Sequence, residues 1–382
     1  MGRPTHAFML LTYKYRLYPT KAQVEFLDGQ LHNACDLYNC ALQERIGAWK
    51  TCRKSISYYD QAHQLKPMRA EGLLAIVTYD CAQDVLRRLD RAFKAFFSRL
   101  EHGNNPGFPQ FRSSRCYNSL TFPNPGHGYK LLPNNRLRVQ GAGLIKVKIH
   151  RPLEGKIKTA TIKQEAGRWF VCFSVECDPK PLPASNLATG IDVGLNSFAV
   201  LADGTEIKNP RFRQNSEDQL RRCQRKVSRR KKGSKRRRKA IQLLQRAHHH
   251  IRNQRSDFHH RLSCELVDKY GMLAVEDLEF SGLTSGYLAR PINDAGWAMF
   301  IKKLVYKAER TSRLVVKVDP RGTSQTCTCG AKVPKTLANR WHYCRICGLS
   351  ASRDQVSAQV ILQRARNGPS GVNVETLISR VA

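Results

Sequence analysis

Alternating runs and helical stripes of apolar residues divide this chain before any single side chain is considered. Tyr13 to Tyr18 alternates as a short strand that Pro19 ends, and Thr20 with Gln23 forms the capping-box pattern that opens a helix. Val24, Leu27, Leu31, Cys35, Tyr38, Leu42 and Ile46 then recur on one helical face. The spacing predicts a second helix over 77–100, on Val85, Leu89, Ala92, Phe93, Phe96 and Phe97. Gly103 and the Asn104-Asn105-Pro106-Gly107 cluster stop it. From Phe111 to Asp178 short runs ("RLRVQ", "LIKVKIH", "TATIKQ", "RWFVCFSVEC") are separated by Pro, Gly and Asn turns, which predicts a small antiparallel barrel or sheet. If the N-terminal strand pairs into it, the helices are an insertion. "DPKPLPASN" (178–186) reads as a linker.

The second half changes pattern. "GIDVGLNSFAVLADG" (190–204) is an apolar run interrupted by Asp192, then a strand-like run over 197–202 that ends on Asp203-Gly204. Ser256 to Tyr270 predicts an amphipathic helix stopped by Gly271, and "MLAVEDLEF" (272–280) a strand carrying Glu276. A helix over Trp297–Arg310, a strand "RLVVKVD", two close Cys pairs and a last helix from near Ser352 complete the chain. Asp354 falls in the first turn of that last helix.

Charge then narrows the function. Among 382 residues, 65 Lys and Arg stand against 30 Asp and Glu, a formal +35. Such an excess repels itself unless a polyanion neutralises it, so nucleic acid is the favoured partner. No apolar run approaches the roughly 20 residues of a membrane span, and the opening residues lack a signal-peptide cleavage pattern. Between Arg221 and Lys239, 13 of 19 residues are basic. This predicts a solvated helix or arm alongside a phosphate backbone, with Arg229, Arg230, Lys231, Lys232, Lys235, Arg236, Arg237 and Arg238 as the binding region. His248 to His250, without paired Cys or carboxylates nearby, read as surface residues. Nine of the 13 Cys are scattered singly and read as ordinary buried or half-buried thiols. Cys327, Cys329, Cys344 and Cys347 come as two pairs, a candidate zinc site, and the usage is intracellular.

Three acids carry candidate chemistry. Asp192 and Glu276 each end an apolar strand, where a buried carboxylate needs a cation or a strong hydrogen-bond partner. Asp354 gains support from a helix N-terminus. Singly, each reads first as a cap or a salt bridge. As a set converging at one sheet edge, they form a site for one or two Mg2+ ions that act on a phosphodiester. Their order, a hairpin with the first, a later strand with the second and a late helix with the third, is that of a ribonuclease H-like fold.

"GIDVGLNSFAV", "LAVEDLEFSGL", "GWAMFIKKLVYKAE", the Cys motifs and "SRDQVSAQVIL" together resemble the TnpB family, the nucleases of bacterial insertion sequences and relatives of compact type V CRISPR effectors. "YKYRLYPTKAQ" and "AFKAFFSRLEHGNNPGFPQFR" fit the same family, so the resemblance covers nearly the whole chain. It implies an α+β multidomain architecture: an antiparallel wedge barrel (1–19 and 111–185) interrupted by a helical recognition lobe (20–110), then an RNase H-like (RuvC) α/β nuclease domain. That domain would span 186–321, with a basic helical segment at 213–262, a zinc-ribbon-like insertion at 322–350 and a C-terminal helix and tail at 351–382.

The implied activity is RNA-guided, Mg2+-dependent cleavage of double-stranded DNA beside a short transposon-adjacent motif, with an element-derived guide RNA. The implied place is the bacterial cytoplasm, on the nucleoid when DNA is bound. The family's RuvC acids fall on Asp192, Glu276 and Asp354. Two departures stand out. "CTCG" has one residue between Cys327 and Cys329 where the family has two, leaving His342 as an alternative fourth zinc ligand. Val356 and Val360 replace residues that are commonly Asn. A cleavage-deficient RNA-guided repressor and a ribonuclease H-like transposase are the rival expectations; the repressor would be expected to have lost at least one acid.

Overall fold

In the computed structural model, residues 8–368 are described except 77, 284, 285 and 337, and without the side chain at 281. The chain divides into two units, Met1–Asp178 and Pro179–Ala382. The first comprises strand β1 (Met9–Tyr18), helices α1 (Lys21–Cys52), α2 (Tyr58–Ala70) and α3 (Tyr79–Glu101), and strands β2 (Ser119–Phe122), β3 (Tyr129–Leu132), β4 (Arg136–Val139), β5 (Gly143–Lys148), β6 (Lys156–Glu165) and β7 (Arg168–Cys177).

Strict alternation in β1 buries Tyr13, Tyr15 and Leu17, and β1 pairs antiparallel with both β5 and β7. The sheet order is β2-β6-β7-β1-β5-β4-β3. Its edges curl toward each other until the Phe122 and Tyr129 rings meet at 5.6 Å, giving a nearly closed barrel. The N-terminal strand is thus central to the barrel, and α1 to α3 are inserted after it. The expected capping box is present at α1: Thr20 N–H donates to Gln23 Oε1 at 3.0 Å, and Gln23 N–H to Thr20 Oγ1 at 3.4 Å. Arg88 fastens α3 to the barrel edge through the Ser119 carbonyl and Thr121 Oγ1. Helix α3 begins after its N-cap Thr78, and the expected start at Val77 lies outside the described residues. Helix α2, which the apolar pattern did not single out, opens with its own capping box at Ser57 and Asp60.

The second unit comprises β8 (Ala188–Val193), β9 (Ser197–Leu201), β10 (Glu206–Lys208), α4 (Phe212–Asn215), α5 (Glu217–Ser228), α6 (Lys235–Lys269), β11 (Met272–Glu276), α7 (Phe280–Leu283), α8 (Ala289–Ala295), α9 (Trp297–Arg310), β12 (Leu314–Val318), β13 (Trp341–Tyr343), β14 (Ser350–Ser352) and α10 (Arg353–Asn367). Its sheet runs β10-β9-β8-β11-β12. The first three strands are antiparallel, and β8, β11 and β12 are parallel. This is the ribonuclease H-like arrangement. Leu262, Leu266, Phe300 and Leu304 from α6 and α9 cover one face. Ile361 and Ala365 of α10 cover the other, against Met272, Ala274 and Val318.

Three sequence expectations change. The basic run is not one continuous arm: it breaks at 229–234, where Gly233 takes φ +84°, into a helical hairpin of α5 and α6. The amphipathic stretch beginning at Ser256 is the second half of the same 35-residue α6, because basic residues propagate a helix as well as apolar ones do. The strand expected over 272–280 ends at Glu276. Among the described residues, no helix is long and apolar enough to cross a membrane.

Candidate active site and metal centre

Strand register brings the first two acids together. β11 pairs parallel with β8 from Met272↔Ala188 to Val275↔Ile191, so Glu276 and Asp192 are the next residues of the same row. Residues in one row of adjacent parallel strands point to the same face and lie about 4.8 Å apart along the sheet. Gly190, two positions before Asp192, shares that face, and it lies under α10. A Cβ at Gly190 would sit 1.9 Å from the Ala358 carbonyl oxygen and 2.9 Å from the Leu362 nitrogen. Only glycine lets the helix approach this closely, and the approach sets the first turn of α10, with Asp354, over the row of acids.

Further contacts lock the helix. Ser352 caps it by accepting from Gln355 N–H at 3.2 Å, Gln359 Nε2 donates to the Ala202 carbonyl, and Arg364 donates to the carbonyls of Asp319 and Arg321. Val356 and Val360 are buried and pack α10 in place.

Asp192 lies within electrostatic reach of both other acids. All three are half-buried. Burial, followed by the charges of Glu276 and Asp354, pushes the Asp192 carboxyl well above the usual range, while Arg353 pulls the other way. Burial also raises Glu276, against a hydrogen bond from Thr323 and the nearby Arg364. Thr323 Oγ1 donates to Glu276 Oε1 at 2.5 Å, and Arg353 Nε lies 3.1 Å from Asp354 Oδ1. Neither Thr323 nor Gly190 was singled out from the sequence. Both sit inside recognisable motifs ("GTSQTC" and "GIDVG"), but nothing in their spacing says what they touch.

The four paired cysteines form the one close group of potential metal ligands among the described residues, with all four sulfurs within 4.8 Å of one another. Cys327 and Cys347 Sγ are 3.6 Å apart, and Cys329 and Cys344 Sγ 3.7 Å. Tetrahedral zinc with Zn–S bonds of about 2.3 Å requires S···S edges of about 3.8 Å, whereas a disulfide needs about 2.05 Å. The amides of Cys347 and Ile346 hydrogen-bond the Cys344 sulfur and lower its pKa, while the neighbouring thiols raise that of Cys347. Both knuckles use one design: Cys327 N–H donates to the Ala331 carbonyl and Cys344 N–H to that of Leu349, so the short "CTCG" loop closes one residue earlier. Cys329 therefore joins the group. His342 is buried, pairs with Lys335 through Nδ1, and stays outside it. Hairpin β13–β14 links this cluster directly to the N-cap of α10.

The hairpin tip presents Arg229, Arg230, Lys231 and Lys232 to solvent, followed by exposed Lys235, Arg236 and Arg238. Arg237 is half-buried and donates to the Arg230 carbonyl, stiffening the turn. The run is thus shaped, with a folded tip rather than a free arm. His248 and His250 are exposed, as expected, but His249 is half-buried with Nδ1 3.2 Å from Asn253 Nδ2 on the next turn. Of the single cysteines, Cys40, Cys52, Cys116 and Cys264 are exposed rather than buried, because their helix or loop positions face away from the core.

Residues 170–285 match the family model described as a probable transposase, of the IS605 OrfB type, and residues 297–361 match the Cas12f1-like TNB domain. Residues 9–54 match a model described as a helix-turn-helix domain, although here they fold as β1 followed by the single helix α1. A Streptomyces pristinaespiralis protein, named provisionally as an RNA-guided DNA endonuclease, is 32% identical over 360 residues, 92% of this chain and 88% of its own. The CRISPR-associated endodeoxyribonuclease Cas12f1 of Sulfoacidibacillus thermotolerans is 27% identical over 248 residues, 58% of this chain and 57% of its own. Among solved structures, a Cas12f1–sgRNA–target DNA complex contains a chain that superposes with a TM-score of 0.62 at 14% identity, covering 93% of this chain and 98% of that one. That likeness is one of fold.

Proposed function

The chain belongs to the TnpB family of insertion-sequence proteins, and from that premise we propose that it is an RNA-guided DNA endonuclease. It would cut double-stranded DNA beside a short adjacent motif, directed by an RNA from its own element, in the bacterial cytoplasm. The observation that carries the reading is the shared row of Asp192 and Glu276 with the start of α10 laid across it.

The donor set fits Mg2+. Three carboxylates supply hard oxygen ligands, and the desolvated Asp192 is coupled to both others, so a cation would relieve the repulsion. Asp192, Glu276 and Asp354 would together hold the ion or ions. When bound, Mg2+ supplies charge stabilisation for the attacking and leaving oxygens of the phosphodiester. The chain's own residues orient the ligands: Thr323 fixes one oxygen of Glu276, and Arg353 holds Asp354. The four thiolates would hold zinc in a structural role, keeping hairpin β13–β14 and hence Asp354 in register.

Retention of all three acids favours a nuclease over a repressor. The test is to express the protein with its flanking element sequence, sequence the RNA that co-purifies, and change the guide portion. Cleavage should move to the matching DNA, and Asp192→Ala, Glu276→Ala or Asp354→Ala should abolish cutting while leaving RNA and DNA binding within about twofold. Retargeted binding without a cut by the parent protein would establish the repressor instead. Strand joining at element ends after complete RNase treatment would establish the transposase.

A further inference from the structure

The recognition helices of the first unit carry a feature that the nuclease reading leaves unused. Between the C-terminal part of α1 and that of α3 lies a groove of about 730 Å³, within the range of small-ligand sites. Its walls are Trp49, Phe93, Phe96, Phe97 and Phe108. The phenylalanines form a continuous set: Phe96–Phe97 at 5.2 Å, Phe96–Phe108 at 5.3 Å and Phe93–Phe108 at 5.7 Å between ring centres. Yet Trp49, Phe97 and Phe108 remain 52%, 53% and 47% exposed. A folded chain has no packing reason to leave three clustered rings half in water.

The rim is cationic. Lys50, Lys54 and Lys94 border the groove, and the Arg53 guanidinium lies 5.8 Å from the centre of the Trp49 ring. The one acid in the lining, Asp90, is already paired with Lys94 at 3.0 Å and Arg45 at 3.7 Å. Rings with a basic border suit a ligand that has flat π faces and a phosphate chain, which is unpaired nucleic acid. A second copy of this chain fits poorly, because two such rims would face each other on a protein already at +35.

We propose that this groove stacks one or more unpaired bases of the bound RNA, with Lys50 and Lys54 of the rim on the adjoining phosphates. The choice of RNA rests on the guide-RNA reading above. In that reading the target strand is held as a paired heteroduplex and the displaced strand is unpaired only after a target is opened, whereas a guide carries single-stranded loops whose bases are free to splay out for as long as the RNA is bound.

The experiment measures binding of the full-length protein to a single-stranded oligouridylate of about 12 nucleotides and to a blunt RNA duplex with the same number of phosphates. Trp49→Ala with Phe97→Ala should weaken the single strand roughly 5- to 150-fold, the range for one base deprived of its aromatic platform, and leave the duplex unchanged. The salt slope should not move, because stacking releases no counterions. Trp49→Phe, which keeps a ring, should bind the single strand within about twofold of the parent.

Equal weakening on both RNAs, or none on either, would overturn the proposal. So would a parent dimer that the double variant converts to monomer, which would assign the groove to a protein interface. The guide assignment is read separately from retargeted cleavage by the parent. If that fails while the single-strand effect persists, the guide assignment falls and base stacking in the groove stands.

Discussion

Gly190→Ala tests how α10 is positioned with a single methyl group. The new Cβ would lie 1.9 Å from the Ala358 carbonyl oxygen. A relaxed carbon–oxygen approach is about 3.3 Å or more, so strand and helix must separate by about 1.4 Å. The oxygen belongs to helix backbone and cannot rotate away as a side chain would. Asp354 lies one helical turn before Ala358 and moves with it, while Asp192 stays on the strand. A misplacement of about 1 Å in a catalytic constellation costs on the order of 100-fold in rate. Overpacking adds about 1–3 kcal/mol of destabilisation, or roughly 2–12 °C in Tm for a unit of this size.

The assay is single-turnover, Mg2+-dependent cleavage of a plasmid target, with RNA binding and thermal melting measured in parallel. The expected result is a cleavage rate down about 100-fold or more, a modestly lower Tm and RNA binding within about twofold. Gly47→Ala in α1 is the matched control, because its Cβ would meet nothing within 4 Å in a helix interior. That change should be neutral or stabilising by about 1 kcal/mol. Cleavage by Gly190→Ala at near the parent rate would refute the claim that close packing of α10 on β8 sets the site.

Three further outcomes follow from the same structure. Protein purified without chelators should contain about one zinc per chain; Cys329→Ser should lose it and His342→Ala should keep it, by elemental analysis, because four thiolates close the tetrahedron. Replacing Arg229, Arg230, Lys231 and Lys232 with Gln should reduce the log–log salt slope of nucleic-acid binding by about 0.7–0.9 for each phosphate no longer neutralised, and an unchanged slope would mean that the hairpin tip touches no phosphate. His259 is buried against Phe198, Phe258 and Phe300 and bonded to the Ala295 carbonyl, and burial pushes its pKa down to about 4. Because the unfolded chain takes up this proton near pH 6.5 and the native one only near 4, its contribution is full above about pH 6.5. About 3 kcal/mol is lost as pH falls toward 4, and denaturant melts of His259→Gln should show that component of the pH slope gone.

Much of this protein was legible in one dimension because its signals are local. Alternation in β1 and β7, the Thr20–Gln23 cap, the helix over Trp297–Arg310 and the two cysteine pairs each depend on residues only a few positions apart. Periodicity and spacing report such features directly. The acids were visible for a related reason: a carboxylate ending an apolar strand is out of place wherever the strand lies. Their order along the chain suggested the grouping, and the family resemblance fell on the same three.

What the chain order could not contain is contact across distance. That Glu276 shares a row with Asp192 depends on the parallel register of β11 against β8, and a slip of one residue would turn Glu276 to the opposite face. That Gly190 must lack a side chain depends on a helix 168 positions later lying against it. The choice of Cys329 over His342 was open because a short loop and a substitute histidine are both compatible with the spacing, and only the four sulfur positions separate them. The basic run shows the same limit: composition predicts charge in water, but Gly233 at φ +84° and the packing of Leu220 and Ala240 turn that charge into a hairpin with a defined tip. Sequence determines which residues want a face, a cap or a cation, through interactions among near neighbours. Which of them meet is decided by packing, because close approach of distant backbones is a property of the whole fold.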